Sequence, residues 1–307
     1  MIRVNFFIKS LNLSDYNNLL PSYWIRCLQL LKYFKDFNDL KVSVNNFKYV
    51  PDILVIMRGF GEFEQLIARF YKLLGVKVVW DTCVNYFETD NKSTQVSIEQ
   101  VNSTHKMIKY CDAVFASSNF IKNVASKYIK SYYLTDSINK EHFCYWKQRL
   151  NLSNPVIGWS GSSTKAEILN KHSNFLSNYR VNVITDKDPN LNFKYNFVEW
   201  DYKLFPEHID ACDIMFSPRD TNDLYNKGHS VFKVAVFLAQ GIPVIADPIP
   251  SYGELNCPHL YLLNTRENDL VQVIRNIDVN RREWDEDFNS ENIVKKYYDV
   301  FREVLNC

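Results

Sequence analysis

The chain has 307 residues, 46% of them apolar and 23% charged, which are ordinary globular proportions and exclude a disordered or fibrous polymer. That length suits two domains of roughly 150 residues each. The net charge of +1 hides a division: residues 1–150 carry 20 Lys and Arg against 13 Asp and Glu, and residues 151–307 carry 16 against 22, so a basic half is joined to an acidic one.

The first half alternates strand-like and helix-like segments. Residues 4–8 open as a strand, and a polar loop over 12–18 leads into an apolar helix over about 22–37. Residues 52–57 form a β-branched run followed by Arg58-Gly59-Phe60-Gly61. A helix over 62–74 closes at Gly75, and the strand 76–80 ends at Asp81. Helix 97–110, strand 113–116, helix 119–128 and strand 132–134 follow, before Thr135-Asp136-Ser137. Asn151 to Pro155 reads as an interdomain linker.

The second half repeats the rhythm. Residues 156–159 are a strand, 160–164 a loop of small residues, and 165–176 a helix. Strands at 181–185 and 196–198, a helix at 205–212 and a strand at 213–216 come next. Residues 230–240 are helical with Gly241 at the end, 242–246 are a buried strand, and 266–277 and 291–305 are amphipathic helices. Continuous apolar strands alternating with helices predict an α/β protein with parallel sheets covered on both faces. Two such units in tandem predict two Rossmann-like domains facing a cleft. In such sheets ligands sit beyond the carboxyl ends of the strands, which directs attention to Arg58, Asp81, Ser117, Asp136, residues 160–164, 217–220 and 247–254.

Seven cysteines without a C-x-x-C pair argue against a zinc or redox site and for a reducing, cytoplasmic setting. No apolar run reaches the roughly 18 residues that span a bilayer. Two carboxylate pairs have the spacing a metal site would use. Asp285-Glu286-Asp287 reads as a solvated face, and Asp186-Lys187-Asp188, followed by Pro189, reads as a turn. No metal is therefore expected. The basic residues are dispersed without a recognition motif, so nucleic acid is not an expected partner.

The most informative stretch is NKGHSVFKVAVFLAQGIPVIADPIPSYGE, residues 226–254. It combines His229-Ser230 with Lys233, an apolar helix ending Ala239-Gln240-Gly241, the strand Pro243-Val244-Ile245-Ala246, and Tyr252-Gly253-Glu254. Upstream, VIGWSGSSTK opens the second half, and Asp213-Ile214 precedes Phe216-Ser217-Pro218. In the first half, ILVIMRG and GVKVVWD form paired strands ending in Arg58 and Asp81. These residues together resemble the GT-B glycosyltransferases, family 4 in particular.

The resemblance implies transfer of a sugar from a nucleotide-sugar co-substrate, with no cofactor, to a glycan, lipid-linked or other acceptor, with retention of anomeric configuration. It implies an acceptor-side domain over 1–150, a donor domain over 151–285, and a C-terminal helix, 286–307, packing back on the first domain. Lys233 and Ser230 would meet the donor diphosphate, helped by Gly161, Ser162, Ser163, Lys165, His229, Tyr252 and Glu254. Asp81, with Lys233, is the catalytic candidate, while Arg26, Arg58 and Asp136 are candidates for acceptor or cleft contacts. Each has a structural reading as well: Arg26 and Arg58 as members of ion pairs, Asp81 as a cap or loop carboxylate, Lys233 as a surface lysine. Two glutamates usual in relatives fall here at Gly228 and Val236, so a catalytically silent binding subunit is the alternative. The basic first half also suits peripheral contact with a membrane surface.

Overall fold

A computed structural model describes residues 1–9, 20–90, 95–263 and 267–306. The expected loop over 12–18 lies outside the described residues, as does the first residue of the expected helix 266–277. In chain order the elements are β1 Ile2–Phe7, α1 Pro21–Arg26, β2 Leu40–Val44, β3 Ile53–Met57, α2 Glu62–Leu73, β4 Lys77–Thr82, α3 Ile98–Met107, β5 Ala113–Ala116, α4 Asn119–Ala125 and β6 Ser131–Tyr133. They continue as β7 Val156–Ser160, α5 Ser173–Leu176, β8 Arg180–Thr185, β9 Asn196–Glu199, α6 Phe205–Asp210, β10 Ile214–Ser217, α7 Leu224–Lys227, α8 Phe232–Leu238, β11 Val244–Ala246, β12 Leu260–Leu262, α9 Glu267–Arg275 and α10 Ser290–Leu305.

The chain forms two compact units, and neither is a continuous segment. The first contains Met1–Ser137, Asn222–Ser230 and Asp287–Cys307; the second contains Ile138–Thr221 and Val231–Glu286. The chain therefore changes unit at Ser137 and Ile138 and not at residue 150. Asn151 to Pro155 is not a free linker. The Asp213 carboxylate accepts the backbone N–H groups of Asn151 and Val156, both at 3.0 Å, which ties this segment into the second unit.

The first unit is built on a six-stranded sheet in the order β2-β1-β3-β4-β5-β6, with every pair parallel. All five residues of β3, Ile-Leu-Val-Ile-Met, are buried, as a strand covered on both faces requires. One face packs Phe6 and Phe115 against Ile293, Val294, Tyr297, Phe301 and Val304 of α10. Those positions, the adjacent Ile293 and Val294 followed by residues three or four apart, form one buried stripe, each contributing about 2 kcal/mol of hydrophobic stabilisation. The other face packs Leu54, Ile56, Val78 and Trp80 against Ala68, Tyr71, Val101 and Ile121. The expected helix over 22–37 is broken: α1 ends at Arg26, Cys27 leaves the helical region (φ −138°, ψ −69°), and two short 3-10 turns follow. Strand β2, absent from the expected elements, pairs along its whole length with β1, from Ile2 opposite Leu40 to Phe6 opposite Val44.

The second unit's sheet is also parallel throughout, in the order β12-β11-β10-β7-β8-β9. Numbered from β7, this is the 3-2-1-4-5-6 arrangement of dinucleotide-binding sheets, and the strand order reverses between β7 and β10. One face buries Ile157, Trp159, Phe216 and Ile245 with Leu169, Phe175 and Leu270. The helix expected over 230–240 is shorter, with α8 starting at Phe232, and Ser230 belongs to the first unit. The helix expected over 165–176 is mostly a 3-10 helix, Ser163–His172, which winds tightly from a start held at Ser163 by Asp186.

Candidate functional site

At the reversal point of the second sheet, β7 ends in Ser160-Gly161 and β10 ends in Ser217-Pro218-Arg219. Crevices beyond the carboxyl ends of strands at such a point are where parallel sheets take their ligands. Trp159, in β7, is buried, and the Lys233 ammonium lies 4.3 Å from its ring centroid. Gly161 makes this approach possible. A Cβ there would stand 2.9 Å from the Trp159 ring and 3.5 Å from Lys233 Nζ.

Lys233 is the electrostatic centre of the site. Burial, with the nearby positive charges of Arg219 and Lys165, pushes its pKa well below that of an ordinary lysine. Among the described residues no carboxylate pairs with it; its near contact is the face of Trp159. Three cations of one unit thus act on a single spot, and protonated Lys233 is left under repulsion that an anion would relieve. This concentration of positive charge belongs to the acidic half of the chain.

Arg219 is held in place by its neighbours. Its backbone N–H donates to Asp247 Oδ2 at 2.6 Å, and its Nε donates to the Tyr252 hydroxyl at 3.3 Å. The same hydroxyl lies 3.4 Å from Ser217 Oγ. Tyr252 is fully buried, so it is not the ligand contact expected of it; it positions Arg219 from beneath. Arg219 was not singled out from the sequence. Its signal was its place one residue past the Ser217-Pro218 strand end.

The opening loop is fixed by Asp186. That carboxylate accepts the Ser163 backbone N–H at 2.7 Å and the hydroxyls of Ser163 and Thr185 at 3.2 and 3.1 Å. These hydrogen bonds, the Ser163 N–H foremost, hold its pKa below the usual carboxylate range. Asp188 accepts from the Tyr195 hydroxyl. The Asp186-Lys187-Asp188 pair therefore serves loop structure, and Ser163 is committed to that role too. Ser162, exposed, shares a hydrogen bond with Thr164.

His229 and Ser230 fall in the first unit, where the His229 ring packs edge-on against Tyr225 with centroids 4.7 Å apart. Glu254 ends a 3-10 turn in the second unit. Gly228 and Val236 both stand in tightly packed surroundings. A Cβ at Gly228 would lie 3.0 Å from Asn85 Cβ, and Val236 is fully buried in α8.

In the first unit Arg26, Asp81 and Asp136 come together as a buried triad. Arg26 donates to both Asp81 oxygens, at 2.8 and 2.7 Å, to Asp136 Oδ1 at 2.9 Å and to the Leu134 carbonyl at 2.7 Å. Burial works against the Arg26 charge, but Asp81, Tyr297 and Asp136 outweigh it and keep the group firmly protonated. Asp81 is completely buried with both oxygens occupied, so the expected catalytic carboxylate is a structural one. The same holds for Arg26 and Asp136 as acceptor contacts. Arg58 differs. It stands at the end of β3 in the left-handed region (φ 58°), with its guanidinium donating to Ser22 Oγ at 3.2 Å and the Tyr86 hydroxyl at 3.3 Å.

No protein-family model matches the sequence, and no curated protein matches it. Solved structures do. Sucrose-phosphate synthase from Thermosynechococcus elongatus aligns over 100% of both chains with a TM-score of 0.70 at 11% identity. HepE of Anabaena, in complex with UDP and glucose, aligns over 99% of this chain and 100% of its own, with a TM-score of 0.64 at 10% identity. An alpha-glucosyltransferase in complex with UDP aligns over 98% and 100%, with a TM-score of 0.64 at 12% identity. What they share is a fold. This chain has the α/β architecture of these GT-B glycosyltransferases, with two Rossmann-like parallel-sheet units. Among the described residues no helix is long and apolar enough to cross a membrane.

Proposed function

We propose that the protein transfers a sugar, a hexose or a close relative, from a nucleotide diphosphate donor. The observation that carries this reading is the Lys233 ammonium, set on Trp159 beside Arg219 and Lys165 at the reversal point of the second sheet. A diphosphate is the anion such a group of cations suits, since it gains negative charge as the glycosidic bond breaks. That solved structures of the same fold hold UDP supports a uridine nucleotide as the first donor to try.

In this scheme the C1–O bond to the diphosphate breaks, and Lys233 and Arg219 stabilise the departing phosphate oxygen. The acceptor hydroxyl forms the new bond to C1, and its proton passes to that phosphate. No protein base is needed, which agrees with the burial of Asp81 and gives retention of configuration. Charge stabilisation by lysine and arginine needs no metal, so nucleotide release should persist in chelator. Acceptor recognition, of a carbohydrate or lipid-linked hydroxyl, falls to the first unit, with Arg58 as its half-buried cation at the reversal point of that sheet. A cytoplasmic setting, with the protein peripheral to the membrane, belongs to the same proposal.

The deciding measurement is release of UDP from a panel of UDP-sugars, with the anomer of the product read by NMR. Turnover that is abolished in Lys233→Ala and Arg219→Ala supports the scheme; normal turnover in both would sink it. A second reading, a binding subunit without catalysis, is favoured by the lack of a carboxylate at Gly228 and Val236. It predicts UDP binding by calorimetry with no release from any donor.

A further inference from the structure

Helix α2 belongs to the first unit, and it turns an apolar face outward. Phe63, Leu66, Phe70, Leu73 and the adjoining Leu74 are between 48% and 78% exposed. Their spacing of three or four residues places all five on one side of the helix, while Glu64, Ala68 and Tyr71 occupy the buried side. Phe47, also exposed, extends this face from the loop after β2: the Phe7 ring lies 6.3 Å from Phe47 and 6.2 Å from Phe63. Singly exposed apolar side chains are ordinary, but six large ones gathered on one face mark an interaction surface.

The charges around this face decide what covers it. Two ion pairs border it, Lys9–Glu64 at 3.1 Å and Lys72–Asp112 at 2.8 Å. In each the cation is the exposed member: side-chain exposure is 54% for Lys9 against 3% for Glu64, and 42% for Lys72 against 19% for Asp112. Arg69 and Lys48 are exposed on the same border. Lys9 also lies over the Phe63 ring, 5.7 Å from its centroid. Among the described residues of this border, solvent thus sees four cations and the exposed carboxylate of Glu62. A second copy of the chain docking by two-fold symmetry would set these cations against themselves. An anionic bilayer surface meets both features, with apolar side chains entering the acyl boundary and cations resting among the phosphates.

We infer that this face of α2, with Phe47, seats the protein on an anionic lipid leaflet. The inference gives a surface to the peripheral membrane setting proposed above, and it is tested without the transferase activity, so that either can fail alone. The full chain is mixed with phosphatidylcholine vesicles with and without phosphatidylglycerol, and bound protein is measured by flotation at low and high salt. The wild type should bind the phosphatidylglycerol vesicles, and binding should fall as salt rises. Phe70→Glu combined with Leu73→Glu should reduce partitioning at least tenfold. Arg69→Glu combined with Lys48→Glu should reduce it by about fivefold or more per cation removed. All four positions are exposed, so unchanged thermal unfolding is expected of both variants and is checked alongside. A wild type that stays with the soluble fraction overturns the inference, as does binding unaltered in both variants. So does a wild-type dimer, seen by sedimentation, that Phe70→Glu dissociates.

Discussion

Lys233→Met should move affinity and stability in opposite directions. Methionine keeps an unbranched apolar stem against Trp159 and removes only the charge. In the free protein that charge is unfavourable, because burial and the repulsion of Arg219 and Lys165 hold the pKa well below its ordinary value. The lost cation–π contact with Trp159 costs about 1 kcal/mol, and the relief of desolvation and repulsion must exceed it, since the protonated form is the disfavoured one. The ligand-free variant should therefore be at least as stable as the wild type near neutral pH. Nucleotide binding should weaken by the loss of a charge-assisted hydrogen bond, about 1.5–3 kcal/mol, or roughly 10- to 150-fold in Kd.

The pH dependence has a defined sign. A lysine whose pKa is depressed by folding carries its penalty when protonated, so wild-type stability rises with pH from the lowered value toward the unfolded one. A bound diphosphate raises the pKa again, and binding takes up a proton in the interval between the free and bound values. Calorimetry with UDP in buffers of different ionisation enthalpy reads that uptake, and urea denaturation of the free proteins reads stability. A variant that is clearly destabilised yet binds UDP with unchanged affinity would refute the reasoning and make Lys233 a structural lysine.

Arg26→Met should leave Asp81 and Asp136 as buried, unpaired carboxylates and cost about 3–5 kcal/mol of stability, read as a fall in the denaturation midpoint. Gly161→Ala places a methyl 2.9 Å from the Trp159 ring; displacing that ring should weaken UDP binding tenfold or more, at about 1–3 kcal/mol in stability. His259 is fully buried with Nε2 against the Leu238 carbonyl, and burial lowers its pKa to about 4. Stability should therefore be complete above the unfolded histidine pKa and fall by about 3 kcal/mol as pH drops toward 4, with His259→Gln flattening this dependence.

Much of the architecture was legible because parallel strands covered on both sides are written as unbroken apolar runs. Ile53 to Met57 and Val244 to Ala246 have no other sensible reading. Strand β2, Leu40-Lys41-Val42-Ser43-Val44, alternates apolar and polar residues as a half-buried edge strand does, so a reading keyed to unbroken apolar runs passes over it. Lys233 stood out through its flanking motif, whereas Arg219 is held by a hydrogen bond that its Nε donates to a tyrosine 33 positions later. The partnership of Arg26 with Asp81 spans 55 positions and that with Asp136 spans 110, so local pattern carried no trace of it. Strand ends therefore directed attention to the right neighbourhood but did not separate a buried carboxylate from a reactive one.

The interleaving of the two units bears on how the chain folds during synthesis. Helix α10 supplies Ile293, Val294, Tyr297, Phe301 and Val304 to one face of a sheet whose strands all lie before residue 134. While the ribosome is adding residues up to 290, that face is covered only in part, by residues such as Leu30 and Phe34, and Phe6 and Phe115 lack their contacts with Tyr297 and Phe301. The second unit, which ends at Glu286, can complete its core first. The usual order, in which the N-terminal body matures before the one that follows, is reversed here. For the time needed to make α10, the nascent first unit carries the partly exposed apolar sheet that chaperones recognise.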